Sequence, residues 1–437
     1  MSEVKSSNKQ PKIGEWQPQK SIKQLKVTGV VGAYMKDWFM TMRERVTRGE
    51  PFAVGGELAE VFTVMDIPLI NLNWWSGNIA AKQMAPYYFD LLDEKGYDAC
   101  RYCALGLGCT MDHNPERAPW GGLPKPTVIL GHTLPLADCD AGQRITELWA
   151  REYNTSHFPL EVTYPTRLNH RWWERMRDHW DEIIEPHRLD LRIEELKALI
   201  RFLECKTGKI FSMAKLREVT RLADEQDEYM KKVRDLIAET VPSPVGLAEV
   251  LSAYRIQWHR GTQAGLDLAK MFYDELKERA DNGEAACPNE KLRMMWRGVG
   301  LWHNPAFYQY FEEKYGAVFI TSLYLAFTAD LLGPRKIFDD PLRALASRSI
   351  PFLGVGSSEW QLKEAKLNKV NGVIQLVSKD CRENIATPLA RMAFENAGIP
   401  ILPVYTDNVD ARQWDDAKIS YQVSSFIETR LLKQKGL

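Results

Sequence analysis

The stretch Asn371–Asp407 reads NGVIQLVSKDCRENIATPLARMAFENAGIPILPVYTD. It opens with an apolar run from Val373 to Val377, and a polar loop, Ser378-Lys379-Asp380, leads to Cys381. Ile385, Leu389, Met392 and Phe394 then recur as on one helical face. Asn396-Ala397-Gly398 stops that helix, and a second apolar run, Ile401–Val404, closes the unit. Strand, loop, helix, strand is the pattern of a parallel βαβ unit, so an α/β fold is predicted. Cys381 falls just past the carboxyl end of a strand and just before a helix, where open α/β sheets bind ligands. The helix dipole there also favours a thiolate.

The same arrangement stands earlier in the chain. Thr127–Leu130 reads as a strand, a loop containing His132 follows, then Cys139, then a helix over 140–153. Before it come a helix over 26–50 and a short strand at Phe52–Val54. Gly55-Gly56 and Glu57-Leu-Ala-Glu60 follow, the two acids in the first turn of a helix, where negative charge is favoured. A second strand, Ile67–Leu72, ends in Asn73-Trp74-Trp75-Ser76-Gly77, and a helix covers 84–92. Residues 166–240 carry no strand signal and read as long charged helices, up to the breaker VPSPVG at 241–246. Beyond it lie a helix from Gly265 to Arg279, strands at Leu292–Trp296 and Ala317–Thr321 around a helix from Pro305, and a last helix near 419–432. Two parallel-sheet, Rossmann- or flavodoxin-like domains joined by a helical connector are therefore expected. The divisions fall at an N-terminal arm over 1–25, a first α/β domain over 26–165, the connector over 166–245 and a second α/β domain over 246–437.

A chain of 437 residues exceeds one ordinary core, in line with that division. Apolar content of 45% and charged content of 26% describe a soluble globular protein. A net charge of −1 gives no electrostatic case for nucleic acid or an anionic membrane. No apolar run is long enough to span a bilayer, and the polar first residues are not those of a signal peptide. Seven cysteines, an odd number, point to a reducing cytoplasm rather than a disulfide framework.

Cys100, Cys139 and Cys381 all stand at loop-to-helix junctions, two in the first α/β domain and one in the second. Domains that face each other would bring the three thiolates into the cleft between them. Widely spaced thiolates without a spaced His pair suit an iron–sulfur cluster better than tetrahedral zinc. Cys103, which makes a C-x-x-C pair with Cys100, or Cys109 could close a fourth position. The strand-end tryptophans Trp74, Trp75, Trp296 and Trp302 are candidates for an aromatic wall of the same cleft.

Here the chain resembles the subunits of benzoyl-CoA reductase and 2-hydroxyacyl-CoA dehydratase. The resemblance covers roughly residues 50–430. It rests on GGELAEVFTVMDIP, on ACRYC at Cys100, on LADCDA at Cys139, on MMWRGVGLW at 294–302 and on SKDC…ARMAFENAGIPILPVYTD at Cys381. It implies a [4Fe-4S] cluster held by Cys100, Cys139 and Cys381, and a homologous cluster-bearing partner subunit. The chain's length is closest to the larger cluster-bearing subunit of ATP-dependent benzoyl-CoA reductase, which implies dearomatisation of benzoyl-CoA. A 2-hydroxyacyl-CoA dehydratase subunit and a non-catalytic cluster carrier are the alternatives. The sequence has no G-x-x-x-x-G-K-[ST] loop and no G-x-G-x-x-G fingerprint. The resemblance therefore implies separate ATP-hydrolysing activator subunits fed by ferredoxin, with an acyl-CoA as substrate. Glu60, Glu57 and His303 are the candidate proton donors by position.

Overall fold

The computed structural model describes residues 21–436 except Glu57, His113, 132–139, 161–170, 332–334, 336–339, 350–357, 379–380 and 382–386. Glu57, His132, Cys139 and Ile385 thus lie outside the described residues.

Each of the two domains is built on a four-stranded parallel sheet. The first contains β1 (Ala53–Gly55), β2 (Leu69–Asn71), β3 (Val128–Leu130) and β4 (Ser156–Phe158), in the order β2-β1-β3-β4. The second contains β5 (Leu292–Arg297), β6 (Ala317–Ser322), β7 (Gly372–Val377) and β8 (Ile401–Tyr405), in the order β6-β5-β7-β8. The order is the same: second strand, first, third, fourth. In both sheets the chain reverses direction between the first and third strands, and that switch point is where such sheets open a crevice at their carboxyl ends.

A glycine marks the spot in each domain. A side chain on Gly55, at the end of β1, would meet Leu130 of β3 at 2.6 Å. One on Gly298, just past β5, would meet Leu376 of β7 at 3.2 Å, and Gly298 has φ +104°. In the sequence, Cys139 follows β3 and Cys381 follows β7, the third strand of each sheet.

Strands β1, β3, β5, β6 and β7 are buried on both faces, as strands of parallel sheets covered by helices are. Alternate residues feed two cores: Val54, Ile129, Met294 and Trp296 enter one, and Ala53, Val128 and Met295 the other. Both cores take residues from both sheets, which fuses the domains through apolar packing rather than a flexible hinge. Helix α1 (Lys26–Thr47) buries Val27, Val31, Met35, Phe39 and Met42, a stripe at helical spacing. It packs on the helices Leu247–Ala253 and Gln263–Asp281 of the C-terminal half.

The described part of the segment expected as a connector is helical, and its two long helices are Pro186–Thr207 and Met213–Glu239. Pro186 starts the first, Gly208 in the left-handed region ends it, and the Ser212 hydroxyl caps the second. The second packs on α2 (Ala59–Val64) and on the helix Gln263–Asp281. Among the described residues no helix is long and apolar enough to cross a membrane.

Two local expectations are corrected and one strand is added. Asn73–Gly77 does not end a strand; it lies in α3 (Leu72–Ala81), capped by the Asn71 side chain, which accepts from the N–H groups of Asn73 and Trp74. Ser156–His157–Phe158, half-buried and without an apolar run, adds the edge strand β4. The helix Thr387–Asn396 buries Ala390 and Phe394, while Leu389 and Met392 are 66% and 60% exposed. The inward stripe is therefore set by the i, i+4 pair at 390 and 394.

Candidate active site

Cys100 is the N-cap residue of α5 (Arg101–Gly108), which follows α4 (Ala85–Glu94) after a turn at Gly96. α5 packs on α3, α4 and α6 (Asp140–Tyr153). Gly106 permits the contact, since a side chain there would meet Trp149 at 2.7 Å and Trp75 at 2.9 Å. The half-buried Cys100 thiol is held below the usual thiol range, chiefly by a hydrogen bond from the Cys103 thiol. Burial opposes this, and the backbone N–H groups of Cys103 and Tyr102 assist it. The start of α5 thus favours a thiolate at Cys100.

The other cysteines differ. Burial pushes the Cys109 thiol up, beside Tyr88 and Trp75. Cys287 is buried, donates to the Glu312 carbonyl at 3.4 Å and is likewise raised by burial. Cys205 is exposed on the helix Pro186–Thr207.

Cys381 is half-buried, and its N–H donates to the Ser378 carbonyl at 3.2 Å in a turn at the end of β7. Asp407, at the end of β8, connects this turn to Cys100. The Ser378 hydroxyl donates to Asp407 Oδ2 at 2.6 Å, and the N–H groups of Val409 and Asp410 donate to Oδ1 at 2.8 Å each. The Asp407 carboxylate is also near enough to Cys100 to oppose its ionisation. Cys100 from the first domain and Cys381 from the second are in this way both tied to one acid. Among the described residues no group of three or more His, Cys, Asp or Glu side chains is arranged to hold a metal; the expected third ligand, Cys139, lies outside them.

Of the three candidate proton donors, Glu60 and His303 are described, and Glu60 stands in the first turn of α2 as expected. Glu60 is buried, and its Oε1 accepts from Arg260 Nε at 3.2 Å and from Arg348 Nη1 at 2.9 Å. Burial alone would raise its pKa, but the two guanidinium groups overcome that and hold it below the usual carboxylate range. Arg260 in turn grips Asp227 with both Nη atoms, and Arg348 reaches Asp224. Glu60 is therefore an ionised member of a buried network joining α2, the connector and the helix Pro341–Ser349, with no proton to give.

His303 is also buried. Burial pushes its pKa down to about 4, so the ring is neutral, and Nε2–H donates to the Asp407 carbonyl at 3.1 Å. Its own carbonyl accepts from Gln83 Nε2 at 2.8 Å. His303 acts as a positioning residue, linking the loop after β5 to the first domain and to Asp407.

Between the domains lies a cavity of about 270 Å³, lined by Trp74, Tyr102, Tyr254, Trp258, Trp302 and Tyr324 among others. Trp74 and Trp302 are two of the four expected tryptophans. The other two are core: Trp75 stacks on Phe39 with rings 5.4 Å apart and 4° from parallel, and Trp296 packs edge-on to Tyr308 at 5.2 Å. Gly77 of α3 faces the Trp302 ring, where a Cβ would sit at ordinary contact distance, 3.5 Å. Ring centroids run from Trp302 to Tyr324 at 5.6 Å, from Tyr324 to Tyr254 at 4.9 Å and from Tyr254 to Trp258 at 6.1 Å. Tyr102, between Cys100 and Cys103, interacts through its hydroxyl with Tyr324 and Trp302, and burial keeps it protonated. The aromatic wall thus begins on the helix that carries Cys100. Sequence reading missed Tyr102, Tyr254, Trp258 and Tyr324; only Tyr102, inside ACRYC, stood next to a quoted motif.

The profile of the 2-hydroxyglutaryl-CoA dehydratase D-component family matches residues 59–429. The chain belongs to this family. One family relative is the (R)-2-hydroxyisocaproyl-CoA dehydratase alpha subunit of Clostridioides difficile, 21% identical over 388 residues, or 87% of this chain and 88% of that one. Another is the (R)-phenyllactyl-CoA dehydratase alpha subunit of Clostridium sporogenes, 23% identical over 244 residues, or 54% of this chain and 58% of that one. Relatives of this dehydratase-family chain are thus dehydratase subunits, which fits dehydration better than the benzoyl-CoA reduction expected from chain length.

Proposed function

We propose that this chain is one subunit of a 2-hydroxyacyl-CoA dehydratase, with Cys100, Cys139 and Cys381 as ligands of a [4Fe-4S] cluster in the interdomain cleft. The observation that carries the reading is the aromatic cavity that starts on the Cys100 helix, in a chain whose relatives are dehydratase subunits. The donor chemistry suits the cluster: Cys100 is biased toward thiolate, and Cys381 stands in a turn bonded to the acid that Cys100 also faces. When bound, such a cluster supplies low-potential electrons and an iron without a cysteine ligand, able to bind a substrate oxygen.

The chain's own residues do the rest. The aromatic side chains exclude water and hold an acyl group beside α5. A cavity of about 270 Å³ suits an acyl group and leaves the coenzyme A carrier outside it. His303 and Ser378 hold Asp407 in place, which fixes the Cys381 turn against the first domain. Without a phosphate-binding motif here, ATP-hydrolysing activator subunits and ferredoxin would deliver electrons, and a homologous cluster-bearing subunit would complete the enzyme.

A second reading, ring reduction of benzoyl-CoA, is favoured by the same wall, because edge-on aromatic side chains pack well around a flat arene. The test is anaerobic purification with the partner subunits, then assay of both reactions side by side. About four irons and four sulfides per chain are expected, lost in Cys100→Ala, Cys139→Ala and Cys381→Ala and kept in Cys205→Ala. Dehydration of a 2-hydroxyacyl-CoA supports the first reading. Ring reduction without dehydration replaces it with the second, and a cluster retained in Cys381→Ala overturns the ligand assignment for both.

A further inference from the structure

We propose that Lys23 and Arg255 form an anchor for the phosphate groups of the coenzyme A carrier at the mouth of the aromatic cavity; this rests on the reading above that the cavity takes the acyl group of a CoA thioester. Both side chains line the cavity, Lys23 exposed and Arg255 half-buried, so positive charge stands where the cavity meets solvent.

Ser252 holds the two cations side by side. Its hydroxyl accepts from Lys23 Nζ at 2.7 Å, and its carbonyl accepts from Arg255 Nε at 2.7 Å. Among the described residues no carboxylate pairs with Arg255, and burial draws its pKa down to about 10. Lys23 is lowered to about 8, first by burial and then by Arg255, against the pull of Glu249. Glu249, the nearest acid to Lys23, is already engaged. Its Oε1 accepts from the N–H groups of Gln24 and Leu25 at 2.9 and 2.8 Å.

Those bonds, with Gln309 accepting from the Ile22 N–H at 2.8 Å and donating to its carbonyl at 2.9 Å, strap the segment 22–25 across the cavity mouth. The strap fixes Lys23 without neutralising it. Two like charges held together are unfavourable until an anion joins them, and a diphosphate or ribose phosphate is the anion that an acyl-CoA brings to this spot. Lys23 precedes residue 59, where the family match begins, so this half of the anchor belongs to the chain's own N-terminal segment.

The test uses the full chain, purified anaerobically. Binding of benzoyl-CoA is followed by quenching of the cavity tryptophans, alongside benzoyl-dephospho-CoA and S-benzoyl-pantetheine, which carries no phosphate. Lys23→Met and Arg255→Gln are each expected to weaken benzoyl-CoA binding about tenfold, the scale of one charge-assisted contact. Both should leave S-benzoyl-pantetheine binding unchanged, and they should flatten the salt dependence seen with benzoyl-CoA. An equal loss for both thioesters, or no loss for either, overturns the anchor and leaves the functional reading in place. S-glutaryl-pantetheine, which carries an acyl carboxylate and no phosphate, is the fourth probe, and a loss confined to it assigns the cations to a carboxylate on the acyl chain and also overturns the anchor. Failure of the wild-type chain to bind any of the thioesters overturns the functional reading and the anchor together.

Discussion

Replacing Glu60 by Gln separates a proton donor from a structural ion. The substitution keeps the volume and one acceptor oxygen but removes the negative charge that Arg260 and Arg348 share. The amide oxygen can still accept from both guanidinium groups where Oε1 does, but it brings no charge to offset them. The charges around it are Asp224 and Asp227 against Arg260, Arg335 and Arg348, so the change leaves a surplus positive charge. Breaking a buried pair in this way costs roughly 3–5 kcal/mol. With an m-value of about 3 kcal/mol per molar urea, the unfolding midpoint should fall by about 1 M. The assay is urea unfolding followed by tryptophan fluorescence, with turnover measured per folded molecule below the transition. Turnover should stay within about twofold of wild type, because the carboxylate holds no proton to donate. Adding Arg348→Met should cost less than the two single changes summed, since the surplus charge is then removed. A midpoint shifted by less than about 0.2 M, together with lost turnover, would refute this reasoning and return Glu60 to the chemistry.

Two further outcomes follow from the packing. Glu312 is buried near Glu249, Glu313 and Glu290, and burial first and these acids second push its pKa to about 8. The folded chain therefore keeps a proton that the unfolded chain has lost, so stability falls as pH rises from about 4.5 to 8, by up to about 1.4 kcal/mol per pH unit; Glu312→Gln should remove that slope in urea midpoints taken at pH 5.5, 6.5 and 7.5. Gly106→Ala would set a methyl group against Trp149 and Trp75, and overpacking of rigid rings should cost about 1–3 kcal/mol despite the better helix propensity of alanine. Iron content should drop with it, because α5 carries Cys100, and an unchanged midpoint would show that the two rings give way.

What could be read in the sequence is what is local. Strand β7, the Cys381 turn and strand β8 lie within one stretch, and each announces itself by an apolar run and a breaker. The strand and the helix that flank Cys139 in sequence, β3 and α6, could be read the same way. α3 could not: Asn73, Trp74, Trp75, Ser76 and Gly77 are poor helix formers, and the helix exists because Asn71 caps it and Trp75 stacks on Phe39. Glu60 illustrates a different limit. Its place in a first helical turn already explained an acid there, but its partners are 200 and 288 residues away, and no pattern in GGELAE names them.

The cavity is harder still. Trp74, Tyr102, Tyr254, Trp258, Trp302 and Tyr324 come from separate segments, and only the docking of two sheets makes them one wall. Trp75 and Trp296 sit in equally good contexts and are buried at 0%, because the neighbouring α5 and the helix Ala306–Tyr315 cover them. An aromatic residue at a strand end is thus a candidate for either fate. The choice depends on which helix lies over it, and in this fold Trp74, Gly77 and Trp302 meet at the cavity. A Cβ at position 77 would sit at ordinary contact distance, 3.5 Å, from the Trp302 ring, so only a side chain reaching beyond Cβ would compete for the cavity there, at a residue that no catalytic motif contains.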